Sequence, residues 1–206
     1  MRKWFDKTQI AIMFGTMFMT FLVIAGTLAY MTDRNDHAAT ITVGKVRISM
    51  DISKTDMYGQ KEGSERVEEN TYKLIPGSTY VKDPIVSVTS DSVDCYLFIR
   101  LENTLGEFED ATDIGTIKEQ LLANDWIELR DHKDIYYLSD GNGNAKTKNA
   151  GSKQAVFERF KIADDATTEQ LKTLEGNPFM VTPYAVQAYG FTGPDDAWNR
   201  AFGQGY

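Results

Sequence analysis

The stretch 95-CYLFIRLEN-103 decides the fold. In an extended chain successive side chains point to opposite faces, so Cys95, Leu97, Ile99 and Leu101 share one side while Tyr96, Phe98 and Arg100 share the other. The first side reads as core and the second as a face half covered by aromatics. The same period recurs outward in both directions. Upstream, "DSVD" is a turn, and Ile85, Val86 and Val88 form a β-branched run that reads as a strand. Pro84 lacks an N–H and therefore belongs at the first position of that strand. Pro76-Gly77 is a turn dipeptide. Further upstream, Val46, Ile48, Met50 and Ile52 share a face, and "KTDMYGQKEGSERVEEN" (54–70) is charged and glycine-containing, as an exposed loop would be.

Downstream, Ile114, Ile117, Leu121 and Leu122 recur at helical spacing within 113–124. "DWIELRD" and "DIYYLS" read as short strands on either side of His132-Lys133, and "DGNGN" (140–144) as a turn. "QAVFERFKI" (154–162) reads as one more strand. "DDATTEQLKTLEG" opens on acids and closes on glycine, as a short helix does. "PFMVTPYAVQAYGF" (178–191) is a strand pair or one kinked strand, with Pro183 expected at an edge or bend. "GPDDAWNRAF" closes with a helical turn. No repeat of fixed period and no Ser/Pro linker divides the chain. The expectation is a mainly β protein, one sandwich domain over 30–206 with two or three short helices.

The chain has 206 residues and a net charge of −8. Residues 1–29 carry Arg2, Lys3 and Lys7 against Asp6, so the remainder carries about −10, which repels phosphates and anionic lipid and argues against nucleic-acid binding. A single cysteine, Cys95, cannot form an internal disulfide, and its neighbours on the strand point to a buried small hydrophobe.

Catalytic and metal motifs are missing. Zinc peptidases of the common type need two histidines one helical turn apart with a glutamate between them. Here the histidines are His37 and His132, both in settings that read as surface. Asp140, Asn142 and Asn144 echo a calcium loop, but Ala145 stands where that loop needs glycine and no glutamate closes it. A hairpin turn is the better reading. No GxSxG elbow and no phosphate-cradling glycine loop occurs. Tyr96, Phe98, Tyr136, Tyr137, Tyr184 and Tyr189 would serve a carbohydrate platform, or cover the outer sheet faces and pack against helices. Neither enzymatic activity nor a cofactor is expected.

At the N-terminus the basic start is followed by "IAIMFGTMFMTFLVIAG", uncharged up to Asp33, and then by small residues at Thr27 and Ala29. This is the layout of a secretory signal cut between Ala29 and Tyr30, and the stretch is also long enough for an uncleaved anchor. Both readings send the rest of the chain out of the cytoplasm. Beyond the cut, Ala39, Ile41 and Val43 share one face, and the apolar phase then slips from odd to even positions at Gly44. The slip marks a bulge, a bend, or a break between two separately paired strands.

Four stretches together resemble the TasA/camelysin family of secreted matrix proteins of Gram-positive bacteria. They are "AYMTD" with "ATITVGKVRISM", then "LIPGSTYVKDPIVSVTS", "CYLFIRLEN" and "PYAVQAYGFTGPDDAWNRAF". The resemblance implies a jelly-roll-like β-sandwich, release by a dedicated signal peptidase of the SipW type, and an extracellular location in a biofilm matrix or at the cell surface. It also implies assembly with copies of itself or related matrix subunits by β-strand addition. In that arrangement the chain from Tyr30 is the donor, Ala39, Ile41 and Val43 insert their side chains, and Gly44 is the hinge. Camelysins have been described as metallopeptidases, an activity for which this chain lacks the ligand pattern. The alternative function is a membrane-anchored or secreted module that binds a polysaccharide or protein and does not polymerise.

Overall fold

The structure is a computed structural model that describes residues 45–175 and 179–203. The cleavage pair Ala29 and Tyr30, the donor residues Ala39, Ile41 and Val43, the hinge Gly44 and His37 lie outside the described residues.

Residues 45–203 form a mainly β, jelly-roll-like sandwich with short helices, the class expected from the sequence. One sheet has the order β10-β4-β1-β2, with β1 Ile48–Thr55, β2 Lys61–Val67, β4 Ile85–Val88 and β10 Lys153–Ala155. The facing sheet has the order β12-β5-β8-β7, with β5 Cys95–Glu102, β7 Trp126–Glu128, β8 Ile135–Leu138 and β12 Met180–Gln187, and β9 Thr147–Lys148 also pairs with β5. A third, β3-β11-β6, joins β3 Thr79–Val81, β11 Arg159–Ile162 and β6 Glu109–Asp110. All these pairings are antiparallel.

β5 is the axis of the fold. Cys95, Leu97, Ile99 and Leu101 enter the main core with Val86, Val88, Phe157, Phe160 and Ile162. On the opposite face Phe98 packs under helix α3 (Pro194–Phe202), where Trp198 meets the rings of Phe98, Tyr184 and Phe202. The aromatics of this outer face therefore cover the sheet against a helix, and Tyr189 alone among the six is largely exposed, at 83%. Cys95 is fully buried, and burial pushes its thiol up to about 11.

Helix α1 (Ile117–Ala123) starts at a capping box in which Thr116 and Glu119 satisfy each other's backbone N–H, and buries Ile117 and Leu121. Ile114 precedes the helix and Leu122 faces solvent, so the four-residue apolar stripe expected there is only half used. A second capping box, Thr167 with Gln170, starts α2 (Thr168–Lys172).

Two expectations fail for physical reasons. Residues 54–70 are not a loop throughout: β2 pairs with β1 as a hairpin, turned by the Asp56 carboxylate, which accepts from the N–H of Tyr58 and Gln60. β2 is exposed on both faces over Lys61–Glu65, so it carries no apolar alternation. Its charges suit an outer edge, where they discourage pairing with other chains. Residues 154–162 are not one strand but β10 and β11 in different sheets. Val156 and Phe157 are both fully buried, which an unbroken strand on one face does not permit.

Buried Gln120 of α1 holds this crossover. Its carbonyl oxygen accepts from the N–H of Glu158 (2.9 Å) and Arg159 (3.3 Å), and its amide donates to the carbonyls of Arg159 and Gly115.

Candidate functional site

Strand addition would require an acceptor, a place where a foreign strand finds both backbone groups and an apolar floor. Among the described residues β1 is the candidate for such a place. It pairs with β4 from Ile48 to Asp51 and with β2 only from Ile52 onward, on its other edge. The change of partner has a local cause. Beyond Asp51, the Asp83 carboxylate replaces the β4 backbone, accepting from Ser53 N–H (2.6 Å) and Ser53 Oγ (2.7 Å). Pro84, next in the chain, has no N–H to offer β1. Arg66 locks the junction from β2, donating to Asp51, Ser53 Oγ and both the carboxylate and carbonyl of Asp83. Burial pushes the Asp83 carboxyl up, yet the Ser53 donors and the Arg66 guanidinium hold it below the usual carboxylate range. This network was not foreseen. The one hint was an acid placed directly before Pro84 at a strand start.

Below this junction the other edge of β1 has no backbone partner among the described residues. The carbonyls of Lys45 and Arg47 accept from Val93 and Thr89 on the β4 side. Backbone groups of alternate residues point to opposite edges, so those of Val46, Ile48 and Met50 point away from β4. No backbone partner meets them among the described residues. Their side chains rest, partly buried, against the main core.

β12 mirrors this arrangement. It pairs with β5 along its whole length, Met180↔Glu102 through Gln187↔Cys95, and ends its sheet. Pro183 has no N–H, so its nitrogen faces the outer edge and the odd-numbered residues point outward. Ala188 fits this phase, donating inward to the Asp94 carbonyl. Val181 and Ala185 face the core, Ala185 only partly buried. Pro183 thus sits at an edge, as the sequence predicts.

Among the described residues β1 and β12 are neighbours. Some Cα atoms of β1 and β12 lie within 8 Å, yet no backbone hydrogen bond joins the strands among the described residues. The opposite seam is sealed. There Trp126 Nε1 donates to the Ala155 carbonyl (2.8 Å), Gln154 to that of Asn124 (3.2 Å) and Asn124 to that of Val156 (3.0 Å).

No family model, curated protein or solved structure matches the chain. Among the described residues no three His, Cys, Asp or Glu side chains gather where they could hold a metal ion, and no helix is long and apolar enough to cross a membrane. The Asp140–Asn144 segment is a hairpin turn closed by the Ser139↔Ala145 bridge. His132 is partly exposed and bonds Asn199 of α3 at 2.7 Å.

Proposed function

We propose that the protein is a secreted, non-catalytic structural subunit of an extracellular matrix or cell-surface fibre, of the kind the resemblance to TasA/camelysin proteins implies. A SipW-type peptidase frees the chain between Ala29 and Tyr30. The strand carrying Ala39, Ile41 and Val43 then enters the seam between β1 and β12 of another copy, or of a related subunit.

One observation carries this reading. Val46, Ile48 and Met50 on one edge and Val181 and Ala185 on the other have core-facing side chains and outward backbone groups at once, with Pro183 between the latter offering only its carbonyl. A strand with apolar residues at every second position would extend both ladders, save for the N–H that Pro183 lacks, and cover the same core. To bond both edges it needs about 9.6 Å between them, twice the interstrand spacing. Some Cα atoms stand within 8 Å, so insertion parts the seam, and no backbone hydrogen bond crossing it among the described residues resists. Donor and acceptor surfaces differ, so the contact does not close on itself and grows a filament.

The rival reading, a polysaccharide-binding module, loses support because most of its platform aromatics pack under α3 or in the core. The test is removal of residues 30–43 from the secreted form. Filaments seen by negative stain at rising protein concentration should vanish while circular dichroism still reports a folded β domain. Filaments that persist without those residues would refute strand addition.

A further inference from the structure

We infer that Asn142 is a site of spontaneous chemical modification, losing its side-chain amide through a succinimide, and that this ages the turn between β8 and β9. Asn142-Gly143 is the one Asn-Gly pair in the chain. It sits at the tip of the turn between Ser139 and Ala145, with residues 141–144 all exposed. The step needs the backbone nitrogen of residue 143 to reach Cγ of residue 142. A β-carbon on residue 143 would obstruct that approach, and glycine has none. At φ +87°, a Cβ built on Gly143 meets no atom within 4 Å beyond its chain neighbours, so nothing else crowds the tip of the turn. The Gly143 N–H donates to no protein group among the described residues, so nothing in the fold opposes its deprotonation.

The chemistry balances without any redox partner. The Gly143 nitrogen forms a bond to Asn142 Cγ and the Cγ–Nδ2 bond breaks. The proton given up by the Gly143 nitrogen ends on the leaving group, which departs as ammonia. Water then opens the ring at either carbonyl, leaving an aspartyl or an isoaspartyl residue. Each event puts a new carboxylate two residues from Asp140. The Asp140 carboxyl is held below the ordinary range chiefly by the Asn142 N–H, with further bonds from Asn144. The isoaspartyl product also lengthens the backbone inside the turn that delivers Thr147 and Lys148 to β5. An unmodified turn orders Asp140 by donating N–H bonds to its carboxylate; a modified one sets two like charges against each other.

Asn144 and Asn149 are internal controls, because each precedes an alanine in the same region. The purified folded protein, held at mildly alkaline pH and digested, should show amide-to-acid conversion at Asn142 about tenfold faster than at either control, the scale set by removing a steric block to an intramolecular attack. Isoaspartyl methyltransferase should label the same peptide. Asn142→Gln should abolish the mass gain of amide-to-acid conversion in that peptide, leaving only the label the neighbouring Asp140-Gly141 pair supplies, and Gly143→Ala should slow conversion to the rate of Asn144. Equal rates at the three asparagines in the folded protein would overturn the inference. So would fast loss at Asn142 seen in denaturant alone, since the turn would then be protective.

Discussion

Substituting Ile41 by Asp tests the donor at a position upstream of β1, which begins at Ile48. In the proposed filament Ile41 is the central side chain of the three that enter the seam. The acceptor floor there is Val46, Ile48, Met50 and Ala185, all apolar and partly buried, with no cation among them. A carboxylate brought into such a place has no partner, and a buried charge left unpaired costs about 3–5 kcal/mol. The lost burial of the isoleucine adds about 2 kcal/mol. Partial exposure of the seam reduces both, so about 3 kcal/mol is a fair lower figure for the net loss of association. At 1.4 kcal/mol per decade this raises the concentration at which filaments first appear by about a hundredfold. Pelleting and negative-stain imaging across a concentration series measure that threshold, and denaturant melts check that the monomer is unchanged. The variant keeps an intact acceptor seam and lacks a working donor. Added in small amounts to the wild-type protein, it should therefore cap growing ends and shorten filaments. A threshold equal to wild type would refute the placement of Ile41 in an apolar groove.

Gln120→Leu should cost about 1–3 kcal/mol in urea melts, because it removes the side-chain partner of the part-buried Glu158 and Arg159 N–H groups and of the Arg159 carbonyl while adding little apolar contact. Asp83 has a folded pKa below its unfolded value, so its contribution is present above the ordinary carboxylate range and is lost as pH falls through the folded value. Asp83→Asn should therefore be less stable than wild type at neutral pH, and the gap should narrow in acid melts. Lys82, whose ammonium donates to the Phe179 carbonyl (2.8 Å) and sits over its ring, is lowered by burial to about 8. Its charge is penalised in the fold below that pH, and the penalty fades as pH rises toward the unfolded value. Lys82→Met should accordingly gain on wild type most below pH 8 and lose that advantage between about 8 and 10, read as the difference between paired melts.

The legible parts of the fold were those whose signal is local. β5 alternates cleanly because one of its faces meets the main core and the other meets α3. The helices showed through the spacing of Ile117 and Leu121 and the acid-to-glycine layout of 164–176, while the capping boxes of Thr116 with Glu119 and Thr167 with Gln170, equally local, formed no part of that reading. Pro183 announces an edge by the hydrogen bond it cannot make. β2 was illegible for the opposite reason: an outer strand that buries nothing needs no pattern, and its charges imitate a loop. The break between β10 and β11 left a trace in the adjacent apolar pair Val156 and Phe157, but its cause, the amide of Gln120, lies far off in sequence. The seam between β1 and β12 was the least readable. It is defined by which edges lack a neighbour, a property of the assembled sheets that no single stretch of residues carries.

The exchange of partners along β1 also sets an order of folding. Its upper half pairs with β2 through a short turn, Ile52↔Val67, while its lower half waits for β4, Ile48↔Val88. β12 joins β5 only after the long excursion that separates Phe98 from Tyr184. Loop closure grows more costly with distance, so the near hairpin nucleates and the far strand zips last. A chain emerging on the far side of a membrane would thus expose the lower edge of β1 before β12 arrives beside it. Whatever occupies that interval, a chaperone or a sister chain, meets the molecule at its most receptive moment.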